Sequence, residues 1–234
     1  MNILVICAHP DDVEVNCAGT LLKYHKQGHK IFIAAATSGN TGSNCIQSRL
    51  ETAQIREAEQ LRSAKHLDAQ VRFLRFDDEG LQDTPCSRRA ILTAIRWAKP
   101  DIIFTNAYTD GSTDHAKTAE LVVRVILSSC GKQHNADLPP AEKAPQVFFF
   151  APGGNIESAP RAFVDISEEI EEKKQMLYCH ESQYLWMREF MDGDFCDSML
   201  GICRALGAQA GCAYAEGFVA FNFAGYRGDY RLLP

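Results

Sequence analysis

The sequence predicts an α/β fold: a Rossmann-like, mostly parallel sheet with helices on both faces. Two observations carry that expectation. Short apolar runs alternate with amphipathic stretches along the whole chain, and polar loops follow several of the runs. Alternation of this kind builds a parallel sheet whose two faces are covered by the intervening helices. Residues 2–8 read as the first strand, and Thr20 to Gln27 as the body of a helix stopped by Gly28. Ile31 to Ala36 is the second strand, and the polar segment Thr37 to Gly42 follows it. A long charged helix is expected over 47–67 and a third strand over 70–75. Residues 87–98 form a helix that ends before Pro100, and 101–105 a fourth strand. From Asp114 to Ser128 a helix carries Leu121, Val122, Val125 and Ile126 on one stripe. Gly131 to Pro145, with Pro139-Pro140, reads as a surface loop and Gln146 to Phe150 as a fifth strand. Phe163 to Ile166 is a short extended piece before a helix from Ser167, placed as N-cap, to Cys179. The 234 residues are expected to form a single domain over 1–234.

Composition narrows the function. The net charge is −6 and no Lys/Arg run stands out, which argues against a nucleic-acid surface. No apolar stretch reaches the roughly 18–20 residues that span a bilayer, so no membrane span is expected. Met1-Asn2-Ile3-Leu4-Val5 lacks a basic region and reads as a first strand rather than a signal peptide. The nine cysteines (7, 17, 45, 86, 130, 179, 196, 203 and 212) include no Cys-x-x-Cys pair. They suit small, reduced, semi-buried residues of a cytoplasmic protein better than a disulfide framework or a zinc ribbon. Cys7 and Cys17 bracket an acidic turn, where a redox or ligand role is the alternative.

That turn is the most informative stretch of the chain. Ala8-His9-Pro10-Asp11-Asp12-Val13-Glu14-Val15 sets one imidazole and three carboxylates directly behind the first strand. So much negative charge beside an imidazole is costly unless a cation neutralises it, which points to a divalent metal. In parallel sheets, ligands bind where loops leave the C-terminal edges of the strands. Three polar loops leave at that edge: His9 to Asp12, Thr37 to Gly42, and Asn106 to His115. His115 falls in the first turn of a helix, whose partial positive charge is expected to keep the ring neutral for metal binding. Two histidines, one aspartate and an open position for water form a common catalytic zinc shell, and the second carboxylate of Asp11-Asp12 is then available as a base.

With these residues in place, the chain resembles the LmbE/PIG-L family of zinc-dependent N-deacetylases. The first family motif, His-Pro-Asp-Asp-x-Glu with a following Gly-Gly-Thr-like turn, corresponds to His9 to Glu14 and Ala18-Gly19-Thr20. The second, His-x-Asp-His, falls on Ser112-Thr113-Asp114-His115. Further likeness covers Arg56 and Glu59, Phe163 to Ile166, His180 to Gln183, and Tyr214 to Phe218, so essentially the whole chain takes part. The resemblance implies the LmbE-like deacetylase fold, with His9, Asp12 and His115 as ligands of Zn2+, or of Fe2+ in a reducing cytoplasm. It implies Asp11 as general base, with Ser112 and Asp114 counted among the catalytic group. The substrate implied is a small amino-sugar conjugate carrying an N-acetylglucosamine-like group, from which acetate is released. Relatives often form trimers or hexamers, so a homo-oligomer is expected.

Two departures from the family pattern bear on function. Ser112 replaces the first histidine of the second motif, and a serine can donate a hydrogen bond but cannot act as an acid near neutral pH. Asp11 would then move the proton alone, or Tyr108 would reach in. In the second loop, Gly39-Asn40 stands where many relatives carry Gly-Glu or Gly-Asp. Asn40 is a candidate for bonding sugar hydroxyls, against simple turn chemistry. Arg56 is a candidate for an anionic part of the substrate, against pairing with Glu57 or Glu59 on its own helix. His180 and Gln183 read as structural or interfacial, His25, His29, His66 and His134 as surface or helix-end residues, and Trp186, Met187, Phe190 and Met191 as core or subunit contact. The rivals are a non-haem iron oxygenase, a zinc- and sugar-binding protein without turnover, and a dinucleotide binder. The oxygenase is disfavoured by the helix–strand alternation. The dinucleotide binder lacks Gly-x-Gly-x-x-Gly after strand one.

Overall fold

A computed structural model describes residues 1–44, 46, 48–134, 136–151, 162–190, 194–222 and 229–234. Cys45, Met191 and the side chain of Phe190 lie outside the described residues. Seven strands form one sheet in the order β3-β2-β1-β4-β5-β7-β6. These are β1 (Asn2–Cys7), β2 (Lys30–Thr37), β3 (Gln70–Phe76), β4 (Ile102–Thr105), β5 (Gln146–Phe150), β6 (Ala162–Asp165) and β7 (Ala215–Ala220). The pairs from β3 through β5 are all parallel, while β7 runs antiparallel to both β5 and β6. The chain order reverses between β1 and β4, and a crevice opens there outside the strand ends. Among the described residues, no helix is long and apolar enough to cross a membrane.

Eight helices fall among the described residues: α1 (Asp12–Asn16), α2 (Ala18–Lys26), α3 (Arg49–Ala64), α4 (Pro85–Ala98), α5 (Thr113–Val125), α6 (Ile170–Tyr178), α7 (Glu181–Phe190) and α8 (Phe195–Ala210). The sheet is buried on both faces because the β1 side chains alternate between two cores. Ile3, Val5 and Cys7 pack with Leu21 of α2, Met176 of α6 and Met199 of α8. Leu4 and Ile6 pack with Ile91 and Ile95 of α4 and with Leu121 and Val122 of α5.

Several features differ from the sequence-based expectation, and helix α8 is one of them. Ser167 does not cap α6; the helix starts at Ile170, and the Ser167 hydroxyl donates to the Asp165 carboxylate. Strand β7 was not expected because Glu216 and Gly217 interrupt its apolar pattern. Glu216 is nonetheless buried, accepting bonds from Gly19 N, Thr20 N and the Thr20 hydroxyl and pairing with the buried Lys173. Helix α7 was not expected because its own sequence brings no cap. The carboxylate of Glu59, on α3, accepts from Ser182 N at 2.8 Å and from the Ser182 hydroxyl at 2.6 Å. Helix α8 does carry local signals: Asp194 caps it by accepting from Cys196 N and Asp197 N, and Gly211 ends it in the left-handed region at φ 78°.

The Lys173–Glu216 pair ties α6 to β7 and to the start of α2. Removing one partner of a buried pair leaves the other charge uncompensated. Lys173→Met is therefore expected to destabilise the fold by about 3–5 kcal/mol, read as a lower denaturant midpoint.

Candidate metal centre and active-site cleft

The acidic turn separates its carboxylates by giving each a different partner. Strand β1 ends at Cys7, and the next two backbone N–H groups, of Ala8 and His9, both donate to Asp12 Oδ2 at 3.0 Å. Asn106, at the end of β4, donates to the same oxygen at 3.1 Å and accepts from Ala8 N at 2.9 Å. The two central strands are thus laced together across the reversal, and Asp12 Oδ1 is left to face His115 Nε2 at 3.2 Å. Burial alone would raise the Asp12 carboxyl; His115 and His9 outweigh it and hold the group below the usual carboxylate range.

Asp11 sits in the left-handed region at φ 115°, a conformation that aspartate tolerates better than most residues. Its carboxylate accepts from Arg56 Nη2 at 3.1 Å, and Arg56 also donates to Pro10 O at 2.6 Å and Gly39 O at 2.8 Å. Gly39 and Gly42 make room for that guanidinium, since a Cβ at either position would collide with it. Burial pushes the Asp11 carboxyl up, against the pull of Arg56. Glu14 turns away into the core, where it accepts from Gln60 Nε2 at 2.9 Å and from the Ser63 hydroxyl, with His180 Nε2 at 3.2 Å. The expectation that all three carboxylates of the turn need a cation is therefore corrected: internal donors neutralise Glu14, and Arg56 faces Asp11.

Three donor atoms face one point. His9 Nδ1 and His115 Nε2 stand 3.0 Å apart, with Asp12 Oδ1 beside them. Each outer nitrogen faces a carboxylate: His9 Nε2 is hydrogen-bonded to Asp78 Oδ1 at 2.8 Å, and His115 Nδ1 lies 2.9 Å from Asp110 Oδ2 without hydrogen-bond alignment. An imidazole that gives its outer N–H to a carboxylate and turns its inner nitrogen toward an acidic ligand has the arrangement of a metal-binding histidine. Without a cation, the carboxylates around His115 outweigh the effect of the helix start. Burial pulls its pKa down, but Asp12 and Asp110 push it up to about 11. Burial likewise lowers His9, and Asp114 and Asp78 carry it to about 9. Two rings protonated on both nitrogens would aim N–H groups at each other across 3.0 Å. A dication between them relieves that clash and satisfies Asp12 as well, so the donor set fits a metal of the zinc type.

Among the described residues, His9, Asp12 and His115 form one of two groups close enough to hold an ion; the other is His9, Asp78 and Asp114. In the second group both Asp114 oxygens already accept backbone N–H groups, from Glu79 at 2.7 Å and Leu81 at 3.3 Å, and Asp78 Oδ2 accepts from the Thr41 hydroxyl at 2.6 Å. Asp12 Oδ1 accepts no backbone bond, which favours the first group. Under that assignment Asp78 only orients His9. Asp78→Ala is expected to weaken metal binding by about 10–100-fold, measured by competition with a chromophoric chelator.

A cleft of about 700 Å³ opens over these donors. Asp11, Ser112, Asp114 and Arg56 line it together with His9, Asp12 and His115. Ser112 precedes α5, but its hydroxyl makes no capping bond; its backbone N–H donates to Asp110 Oδ1 at 3.0 Å. Arg56 pairs with neither Glu57, which bonds Arg75, nor Glu59, which caps α7. Asn40 lies outside the lining: its amide donates to Asp77 and its oxygen accepts from Asp78 N. Tyr108 is also outside it, half-exposed with its ring on Phe149. Cys7 and Cys17 are fully buried, and burial pushes both thiols well up, away from ligand or redox chemistry.

Sequence reasoning missed Asp78, Asp110 and Asn106 as site residues. The signal for Asp78 was present, because Asp77-Asp78 follows β3 at the same sheet edge as the three loops that were counted.

Comparison with known proteins agrees with this geometry. A family model described as "PIG-L: GlcNAc-PI de-N-acetylase" matches residues 4–126. The chain is 29% identical over 192 residues to a diacetylchitobiose deacetylase of Thermococcus kodakarensis, covering 78% of this chain and 70% of that protein. It is 25% identical over 209 residues, 82% of this chain and 88% of the other, to a Bacillus anthracis protein named "Probable N-acetyl-alpha-D-glucosaminyl L-malate deacetylase 2". Among solved structures, the N,N'-diacetylchitobiose deacetylase of Pyrococcus horikoshii superposes with a TM-score of 0.81 at 23% identity, over 94% of this chain and 83% of that one. A 4-carboxy-2-hydroxymuconate hydratase of Pseudomonas putida superposes as well, at 0.82 and 18% identity, over 97% and 99%, so the fold by itself does not select a reaction. The family model spans more than half of the chain and includes both halves of the metal cradle: the chain belongs to the PIG-L family.

Proposed function

We propose that the protein is a metal-dependent hydrolase that removes the N-acetyl group from an N-acetylglucosamine-containing conjugate. The observation that carries this reading is the cradle of His9, Asp12 and His115 opening onto a cleft that Asp11 also lines. Zn2+ is the first choice of ion for two imidazoles and a carboxylate, and Fe2+ fits the same donors. Held there, such an ion supplies a Lewis acid for the amide carbonyl and lowers the pKa of a water toward neutrality.

The residues do the rest. Asp11, whose carboxyl is raised by burial and held in place by Arg56, takes the proton of the attacking water and returns it to the departing amine. Ser112, at the start of α5, offers a hydroxyl to the developing oxyanion, where a protonated histidine would offer a charge as well. Asp114 fixes the loop after β3 through Glu79 N and Leu81 N, and so holds Asp78 behind His9. Hydration of a carbon–carbon double bond would also use activated water. The deacetylase reading is preferred because the sequence relatives are named as deacetylases, whereas the hydratase likeness is one of fold.

The test is acetate release from a panel of N-acetylglucosamine conjugates, beside Ser112→His. The wild type is expected to release acetate, to stop when a chelator strips the metal, and to recover when metal is returned. Ser112→His is expected to raise kcat by about 10²–10³, the usual worth of one oxyanion donor. No release from the metal-loaded wild type, with release by Ser112→His, would mean that the natural protein binds the sugar without hydrolysing it.

A further inference from the structure

The cleft has two chemically distinct sets of lining side chains, and together they restrict the substrate beyond its amino sugar. Around the metal cradle the lining carries Asp11, Asp12, Asp78, Glu79, Asp110 and Asp114. Arg56 is the one Lys or Arg among the described lining residues, and its terminal nitrogens are committed to Asp11, Pro10 O and Gly39 O. Six carboxylates against one engaged guanidinium leave the cleft negative even after a dication binds. Among the described lining residues, a conjugate bearing a carboxylate or a phosphate meets repulsion there and finds no free Lys or Arg to pair with.

The same cleft also carries apolar side chains. Val15 of α1, Trp186 of α7, and Phe195 and Ile202 of α8 line the same cleft. All four are partly exposed. Side chains of this kind gather where a ligand presents an apolar surface, with the few polar groups of the site fixing its orientation. Helices α7 and α8 bring this wall from a part of the chain remote from both metal motifs, so it is a separate element of the cleft.

Building on the deacetylase reading, we infer that the substrate is an uncharged N-acetylglucosaminide whose aglycone is apolar, an alkyl or aryl group seated on Trp186, Phe195 and Ile202. Anionic conjugates are disfavoured. The inference sets this chain apart from an enzyme acting on a malate conjugate, which carries carboxylates.

The test compares methyl, hexyl and phenyl β-N-acetylglucosaminides with the L-malate conjugate on the metal-loaded protein, each by kcat/KM for acetate release. A fully buried methylene contributes up to about fourfold. Because the wall is half open, the hexyl glycoside is expected to exceed the methyl glycoside by about tenfold. The malate conjugate is expected to fall at least tenfold below the methyl glycoside. Trp186→Ala is expected to bring the hexyl-to-methyl ratio toward one, and Glu79→Gln to raise the malate conjugate relative to the methyl glycoside. Equal rates for hexyl and methyl, or a preference for malate, would overturn the inference and leave the deacetylase standing. So would a gain that follows lengthening of the N-acyl chain instead of the aglycone. Calorimetric affinities for Asp11→Asn give the same comparison without turnover. A hexyl preference in binding, with no acetate released by the wild type from any conjugate, would uphold the apolar wall and sink the deacetylase reading.

Discussion

Asp11→Asn is expected to lower kcat by about 10²–10⁴, the usual contribution of a positioned general base, while the metal content per chain stays at the wild-type value. The two expectations belong together because of how the turn is built. Asp12, the neighbouring carboxylate, is anchored by the N–H groups of Ala8 and His9 and by Asn106 rather than by Arg56, which bonds Asp11. An asparagine at position 11 keeps an oxygen that can accept from Arg56 Nη2, so the guanidinium retains its contacts with Pro10 O and Gly39 O. What is lost is the capacity to take a proton. The measurement is kcat for acetate release alongside metal analysis of the same sample. A kcat within threefold of wild type would remove Asp11 from the chemistry. A drop in kcat matched by a drop in metal would make Asp11 part of the cradle instead. A rise in KM alone, with kcat unchanged, would assign it to substrate binding.

The central half of this architecture was legible because its signals are local. The strand β1 announces itself as an unbroken apolar run, and His9, the Asp11-Asp12 pair and His115 stand in a turn and a helix start that the chain spells out, the choice of Asp12 as ligand coming from the family resemblance. What could not be read depends on distant partners. Glu14 looks like a third cleft carboxylate in the sequence and becomes a core residue only because Gln60, Ser63 and His180 arrive from α3 and from the turn before α7. The N-terminus of α7 is silent in its own sequence because its cap, Glu59, lies more than a hundred residues earlier. Strand β7 hides behind Glu216, whose buried charge makes sense only beside Lys173. Arg56 was singled out for an anionic part of the substrate, yet its partners lie on the first and second loops and cannot be deduced from helical spacing, which offers Glu59. Asp78 is a different case: the switch-point rule that gathered the other loops applied equally to the loop after β3.

His115→Ala separates the two donor groups that the cleft presents, and it carries the largest expected loss. His9 belongs to both groups, so its removal decides nothing between them. His115 belongs only to the group with Asp12, and Asp114 only to the group with Asp78. If the cradle is His9, Asp12 and His115, then His115→Ala leaves two ligands and an Asp110 Oδ2 without its imidazole, and metal binding and acetate release are both expected to vanish. Asp114→Asn, in contrast, is expected to retain the metal, since its oxygens serve Glu79 N and Leu81 N. Denaturation with and without metal gives a readout independent of activity. A ligand that binds only the folded state at a thousand times its Kd stabilises by about 4 kcal/mol. The wild type and Asp114→Asn should show that gain, and His115→Ala should show almost none. The reverse pattern, with metal kept by His115→Ala and lost by Asp114→Asn, would move the ion to the Asp78 side of His9. Asp110 would then have no ligand to orient, and the reaction would have to be built around His9 Nε2.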